Sequence, residues 1–189
     1  MEPTPGKANP KSSELAFELA WTLYDSIGDI ESAIPSFKAA TEMATAKTKP
    51  ARDVCQRMLA HSYERLPDPE KAIQVYRQIQ KDRPEDAMAS DAIKSIEKRY
   101  LPVWQLVGKK KYQQALDALA PTIKQNPEGQ LPRLVEAEVC RRSGDTRKAI
   151  AILKDLHNRE PKLKWVQFRI EQLERSEARA RAKRASDPH

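Results

Sequence analysis

Glycine is scarce in this chain of 189 residues, with five copies, and cysteine scarcer, with two. No apolar run approaches the ~20 residues that cross a bilayer as a helix. Collagen-like sequence, elastic linkers and transmembrane spans are thereby excluded. Cys55 and Cys140 form no CxxC pair and have no His or carboxylate near them at metal-ligand spacing, so two buried, reduced thiols are expected. His61, His157 and His189 are too dispersed for HExxH or another local metal motif, and neither GxGxxG nor GxxxxGK[ST] occurs. Enzymatic chemistry has no motif to stand on, although a Ser/His/Asp or Cys/His site assembled from distant segments leaves no local trace. Neither a cofactor nor a metal is expected. The N-terminus lacks the apolar core of a secretory signal, which makes a cytoplasmic location the default expectation.

What the chain does hold is Ala, Leu, Glu, Lys, Arg and Gln, good helix formers, with few β-branched clusters. Apolar side chains make up 39% and charged ones 32%, a balance that permits a buried core in an otherwise polar molecule. An all-α protein is expected. Lys and Arg number 34 against 27 Asp and Glu, a net charge of +7. The excess is uneven: residues 1–100 carry 15 basic and 16 acidic side chains, residues 101–189 carry 19 and 11. A basic C-terminal half can recruit an acidic protein, a nucleic acid or an anionic membrane surface, and composition does not choose among them. Three prolines in the first ten residues predict a disordered lead-in over 1–12.

Four segments superimpose by eye: Gly28 to Ile34, Pro67 to Ile73, Lys110 to Leu116 and Gly144 to Ile150. Each is a turn followed five residues on by an alanine, Ala33, Ala72, Ala115 and Ala149. Four residues further stands a large apolar side chain, Phe37, Tyr76, Leu119 or Leu153, on the same helical face. Pro84, Pro127 and Pro161 then stop three of the four helices. A second apolar-periodic stretch precedes each turn: Phe17, Ala20, Trp21 and Tyr24; Leu59, Ala60 and Tyr63; Val103 and Leu106; Ala137 and Cys140. Gly28 and Gly144 suit left-handed C-caps, with Gly108 a third interhelical turn; Asp29, Asp68 and Asp145 suit N-caps, and Pro69 suits a first helical turn. Pro35, Pro102 and Pro121 fall inside predicted helices, which they should kink or end. Trp21 falls in the small-residue slot of its unit.

This pattern resembles the tetratricopeptide repeat, a two-helix unit of about 34 residues. The resemblance covers most of residues 14–161, with units at about 14–47, 53–86, 96–129 and 130–163. The alanine intervals of 39, 43 and 34 residues leave insertions of five and nine to be absorbed, the first by the helix and loop around Thr45 to Pro50, the second by a helix from about Asp86 to Tyr100. The resemblance implies a right-handed α-solenoid of antiparallel helix pairs, closed by a capping helix that begins near Lys162 and uses Trp165, Phe168 and Leu173. Residues 175–189 are then a basic helical extension with a frayed tail.

The family's fold implies that first helices line a concave groove, there presenting Glu18, Thr22 and Asp25; Arg57, His61, Glu64 and Arg65; Tyr100, Trp104 and Val107; and Leu131, Leu134, Glu138, Arg141 and Arg142. A peptide or helix with an apolar anchor and acidic flanks would suit Tyr100, Trp104 and Leu134 together with Arg57, Arg141 and Arg142. Tyr100 and Trp104 are equally explained as core residues, and the arginines as a solvated face. One branch of the family grips chaperone tails with a Lys, Asn and Arg clamp, but the matching positions here hold Glu18, Thr22, Met58, Glu97 and Leu101. The expected function is a non-enzymatic adaptor that binds a partner protein. An RNA- or ribosome-associated factor using the basic half is the alternative, and self-assembly through the end helices is a further possibility.

Overall fold

The computed structural model describes residues 10–186. Ten helices follow one another, and no strand occurs among the described residues. They are α1 (Pro10–Trp21), which runs on into a π-helical turn (Thr22–Ile27), α2 (Ile30–Met43), α3 (Arg52–Arg65), α4 (Pro69–Asp82), α5 (Ala87–Arg99), α6 (Leu101–Gly108), α7 (Tyr112–Gln125), α8 (Gln130–Ser143), α9 (Thr146–Arg159) and α10 (Lys164–Ser186). Most of the expected lead-in lies outside the described residues, but Pro10, Lys11 and Ser12 already belong to α1. Asp187 to His189, in the expected frayed tail, also lie outside.

The helix ends follow from local chemistry. The carboxylates of Asp29, Asp68, Asp86 and Asp145 accept from the backbone N–H of Ser32, Lys71, Ala89 and Lys148 at 3.1, 3.2, 2.9 and 3.0 Å. Each satisfies a donor that the first turn leaves open, worth about 1 kcal/mol. At the other end, Arg83, Asn126 and Glu160 leave helical geometry immediately before Pro84, Pro127 and Pro161. The proline ring forces the preceding residue into extended backbone, which sets the stop. Between these signals α2, α3, α4, α7, α8 and α9 all have 14 residues.

The chain divides into two units, ending and restarting at Leu101 and Pro102. In the first, α1 packs on α2, α2 on α3, α3 on α4 and α4 on α5; in the second, α7 packs on α8, α8 on α9 and α9 on α10. This is an all-α helical repeat of consecutive helix pairs. Ala33, Ala60, Ala72, Ala115 and Ala149 are fully buried and Ala137 nearly so, because a methyl group lets neighbouring backbones approach closely. Phe37, Tyr76, Leu119 and Leu153 are buried one turn beyond the second-helix alanines, each contributing about 1.5–3 kcal/mol.

Several expectations need correction. The five-residue insertion does not lengthen α2: relative to the 34-residue interval, four of its residues lie in the loop before α3, where Thr48 Oγ1 donates to Thr45 O at 2.9 Å, and one in the turn before α4. Pro102 is the second residue of α6, so it opens a helix and does not interrupt one. Pro35 and Pro121 sit within α2 and α7 without ending either. Gly28 and Gly144 are left-handed, with φ of 86° and 93°, but in the third unit Lys110 takes that conformation, with φ of 58°, and Gly108 ends α6 without it. Trp21 does not fill a small slot: Ala20 is fully buried there, and the indole stays 42% exposed. Helix α10 buries Trp165, Val166, Ile170 and Leu173, while Phe168 is half-buried. It has 23 residues, and the nine beyond a 14-residue helix add roughly 13 Å at ~1.5 Å per residue.

Candidate functional site

In the second unit the site grows from the spacing of three residues on α8. Arg141 and Arg142 stand three and four positions after Glu138, where side chains on one helical face meet. Arg141 donates through Nε to Glu138 Oε2 at 2.7 Å and through a terminal nitrogen to Oε1 at 2.5 Å, a bidentate pair. Arg142 Nε adds a bond to Oε1 at 3.0 Å, and Arg169 of α10 reaches Oε2 at 3.5 Å. Glu138 is buried, which alone would push its carboxyl up, but the hydrogen bonds and charges of Arg141, Arg142 and Arg169 outweigh this and hold it below the usual carboxylate range. Three guanidinium groups around one carboxylate leave the cluster with two positive charges. The Arg141 and Arg142 side chains remain 36% and 46% exposed. The Arg142 guanidinium also lies 4.9 Å from the centre of the Trp104 ring, a cation–π contact.

The first unit holds a different arrangement. Arg57 donates to Asp86 at 2.7 Å, and Arg83 bridges Asp86 and Asp53 at 3.3 and 3.1 Å. The bond from Arg57, followed by that from the Ala89 N–H, holds the Asp86 carboxyl low. His61 Nδ1 lies 3.3 Å from Glu64 Oε2, while Tyr76 donates its hydroxyl to Glu64 Oε1 at 2.9 Å. Burial, reinforced by the Glu64 charge, pushes the Tyr76 hydroxyl well up. Trp21 stacks along Phe17 and Tyr24, with centroids 6.2 and 6.1 Å apart, and Arg65 covers the Tyr24 ring at 4.6 Å.

Of the expected contact residues, Tyr100, Trp104 and Leu134 are buried at 5%, 9% and 5% exposure, which places them in the core. Glu138 is buried as well, and accepts hydrogen bonds from Arg141, Arg142 and Arg169. Arg57 is committed to Asp86, whereas His61 is exposed. Arg141 and Arg142 thus remain as the solvent-facing members of a shared cluster. Sequence reasoning missed Arg169, four residues after Trp165. Reading α10 as one more first helix would have put Arg169 beside α8. It also missed Trp21 as an exposed aromatic. Between the α8–α9 turn and α10 lies a cleft of about 450 Å³, whose lining includes Arg141, Arg147, Leu173, Glu177 and Arg181. Among the described residues no three His, Cys, Asp or Glu side chains are grouped to hold a metal ion, and no helix is long and apolar enough to cross a membrane.

Residues 14–47 match the tetratricopeptide repeat family. That stretch is most of α1 with its π turn, α2 and the start of the following loop. Together with the succession of helix pairs, it fits a protein of the tetratricopeptide repeat type. No curated protein matches the chain.

Proposed function

We propose that this repeat protein is a non-enzymatic adaptor of the cytoplasm whose second unit holds an acidic segment of a partner protein against Arg141 and Arg142. A repeat of this type supports protein–protein interaction as the general role. The observation that carries the finer reading is the Glu138 cluster. The carboxylate fixes two guanidinium groups in direction without neutralising them, so an arriving Asp or Glu side chain meets preorganised donors. Free Cys55 and Cys140 suit a reducing compartment.

The test uses the full chain and a labelled peptide of glutamates around a single leucine, with a lysine version as control. The acidic peptide should bind and the lysine peptide should not. Affinity should fall about tenfold in Arg141→Glu/Arg142→Glu, and that of the wild type should fall with added salt. Equal binding of the two peptides, or undiminished binding by the folded double variant, would overturn the reading. A single-stranded RNA that displaces the peptide, and loses its affinity when residues 175–189 are removed, would favour the nucleic-acid alternative.

A further inference from the structure

We infer that α1 and the overhanging end of α10 are the two halves of a head-to-tail contact between copies of this chain. The inference starts from an exposed apolar ridge on α1, the first helix among the described residues. Leu15 and Leu19, one turn apart on α1, are 63% and 55% exposed, and Ile27 beyond them is 49% exposed. In a helical repeat an apolar ridge of this kind is ordinarily covered by a neighbouring element. Beside the two leucines stand Glu14 and Glu18, also one turn apart, both exposed and neither in an ion pair among the described residues. An element that covers this ridge must therefore supply positive charge at the same one-turn interval.

The end of α10 supplies it. Arg175 and Arg179 are one turn apart and exposed. Arg175 holds a surface pair with Glu171 at 3.2 Å, and Arg179 has no ion pair among the described residues. The acidic residues of this stretch are already engaged: Glu174 binds Lys154 of α9 at 2.7 Å, and Glu177 binds Arg147 at 3.2 Å and Arg181 at 2.6 Å. The outward face is thus cationic. Ala178 and Ala182 lie between and beyond the arginines and leave room for leucine side chains, which the aliphatic stems of the arginines would flank. Both the carboxylates and the guanidinium groups are spaced four residues apart, about 6 Å along a helix, so the two sets match in register. Because the two surfaces differ, the contact is heterologous, α1 of one copy meeting α10 of another.

Sedimentation velocity on the full chain tests this. At about 200 µM protein and about 50 mM salt the average mass should rise above the 21.5 kDa of one chain, and it should return to that value at about 500 mM salt. Glu14→Lys/Glu18→Lys alone and Arg175→Glu/Arg179→Glu alone should each stay monomeric with unchanged helical circular dichroism. Mixed together, the two variants should associate again, since the lysines of one then face the glutamates of the other. A wild-type chain that stays monomeric at low salt, association that survives either charge reversal, or a mixture that fails to associate would overturn the inference. Association lost in Leu15→Ser/Leu19→Ser but retained in both charge variants would point to an apolar contact of another kind and would equally overturn it.

Discussion

The two units are built from the same parts and differ in what they show to solvent. Residues 1–101 carry 15 basic and 16 acidic side chains, and residues 102–189 carry 19 and 11. Among the described residues, the large hydrophobic side chains that stand exposed, Leu15, Leu19, Trp21, Ile27, Val54 and Met88, all belong to the first unit. The second unit carries the cationic excess, and the first carries the exposed hydrocarbon. Alanine seams and aspartate caps recur in both, so the frame carries no information about partners. What each unit can bind is written on the positions the frame leaves free, which lets neighbouring repeats diverge in chemistry at little cost in stability.

The comparison breaks most severely if the cores are linked. Phe37→Ala should destabilise the first unit by about 3–5 kcal/mol while amide-exchange protection in α8 and α9 stays unchanged. Equal loss of protection in α8 and α9 would show that the division has no energetic meaning. A smaller effect separates two arginine-paired carboxylates, Glu138 and Asp86. Glu138→Gln should cost the second unit about 2 kcal/mol in urea unfolding near neutral pH, since three arginines lose a charged acceptor. Its folded pKa is lowered, so its contribution is complete above the unfolded value of roughly 4.3 and disappears as pH falls through the lower folded value. Asp86 has the same sign in the first unit. An acid titration followed by amide exchange should therefore show Glu138→Gln flattening the pH dependence of the second unit and leaving that of the first in place. Trp21→Ala should cost the first unit roughly 1 kcal/mol or less by thermal unfolding, because the ring is already 42% exposed. Smallest of all, Lys110→Gly should stabilise the second unit by up to about 1 kcal/mol, since glycine tolerates φ of 58° where lysine is strained. A loss of stability there would mean that the lysine stem packs usefully.

Much of the frame was legible because it rests on short-range chemistry. Asp29, Asp68 and Asp145 cap their helices within three residues, and Pro84, Pro127 and Pro161 act on the residue just before them. Periodicity likewise placed Ala72 and Tyr76, or Ala149 and Leu153, on one buried face. It could not separate groove from core at Tyr100 and Trp104, since an apolar residue on a helix facing another helix gives the same period in either role. The Glu138, Arg141 and Arg142 spacing was readable, but its meaning depended on Arg169, which arrives from 31 residues away. Trp21 was misassigned by one position: the stacked pattern counted residues as though the helix were uniform, and the fully buried alanine precedes the tryptophan.

The six-residue π turn from Thr22 to Ile27 bears on how the length of this chain can vary. With hydrogen bonds reaching back five residues, it swallows one amino acid more than an ordinary helix needs to arrive at the same glycine. Deleting Ser26 should leave a regular helix entering the left-handed bend at Gly28, with the downstream seam of Ala33 and Ala40 undisturbed. This turn is a length buffer, built to shed one residue while the rest of the register holds still.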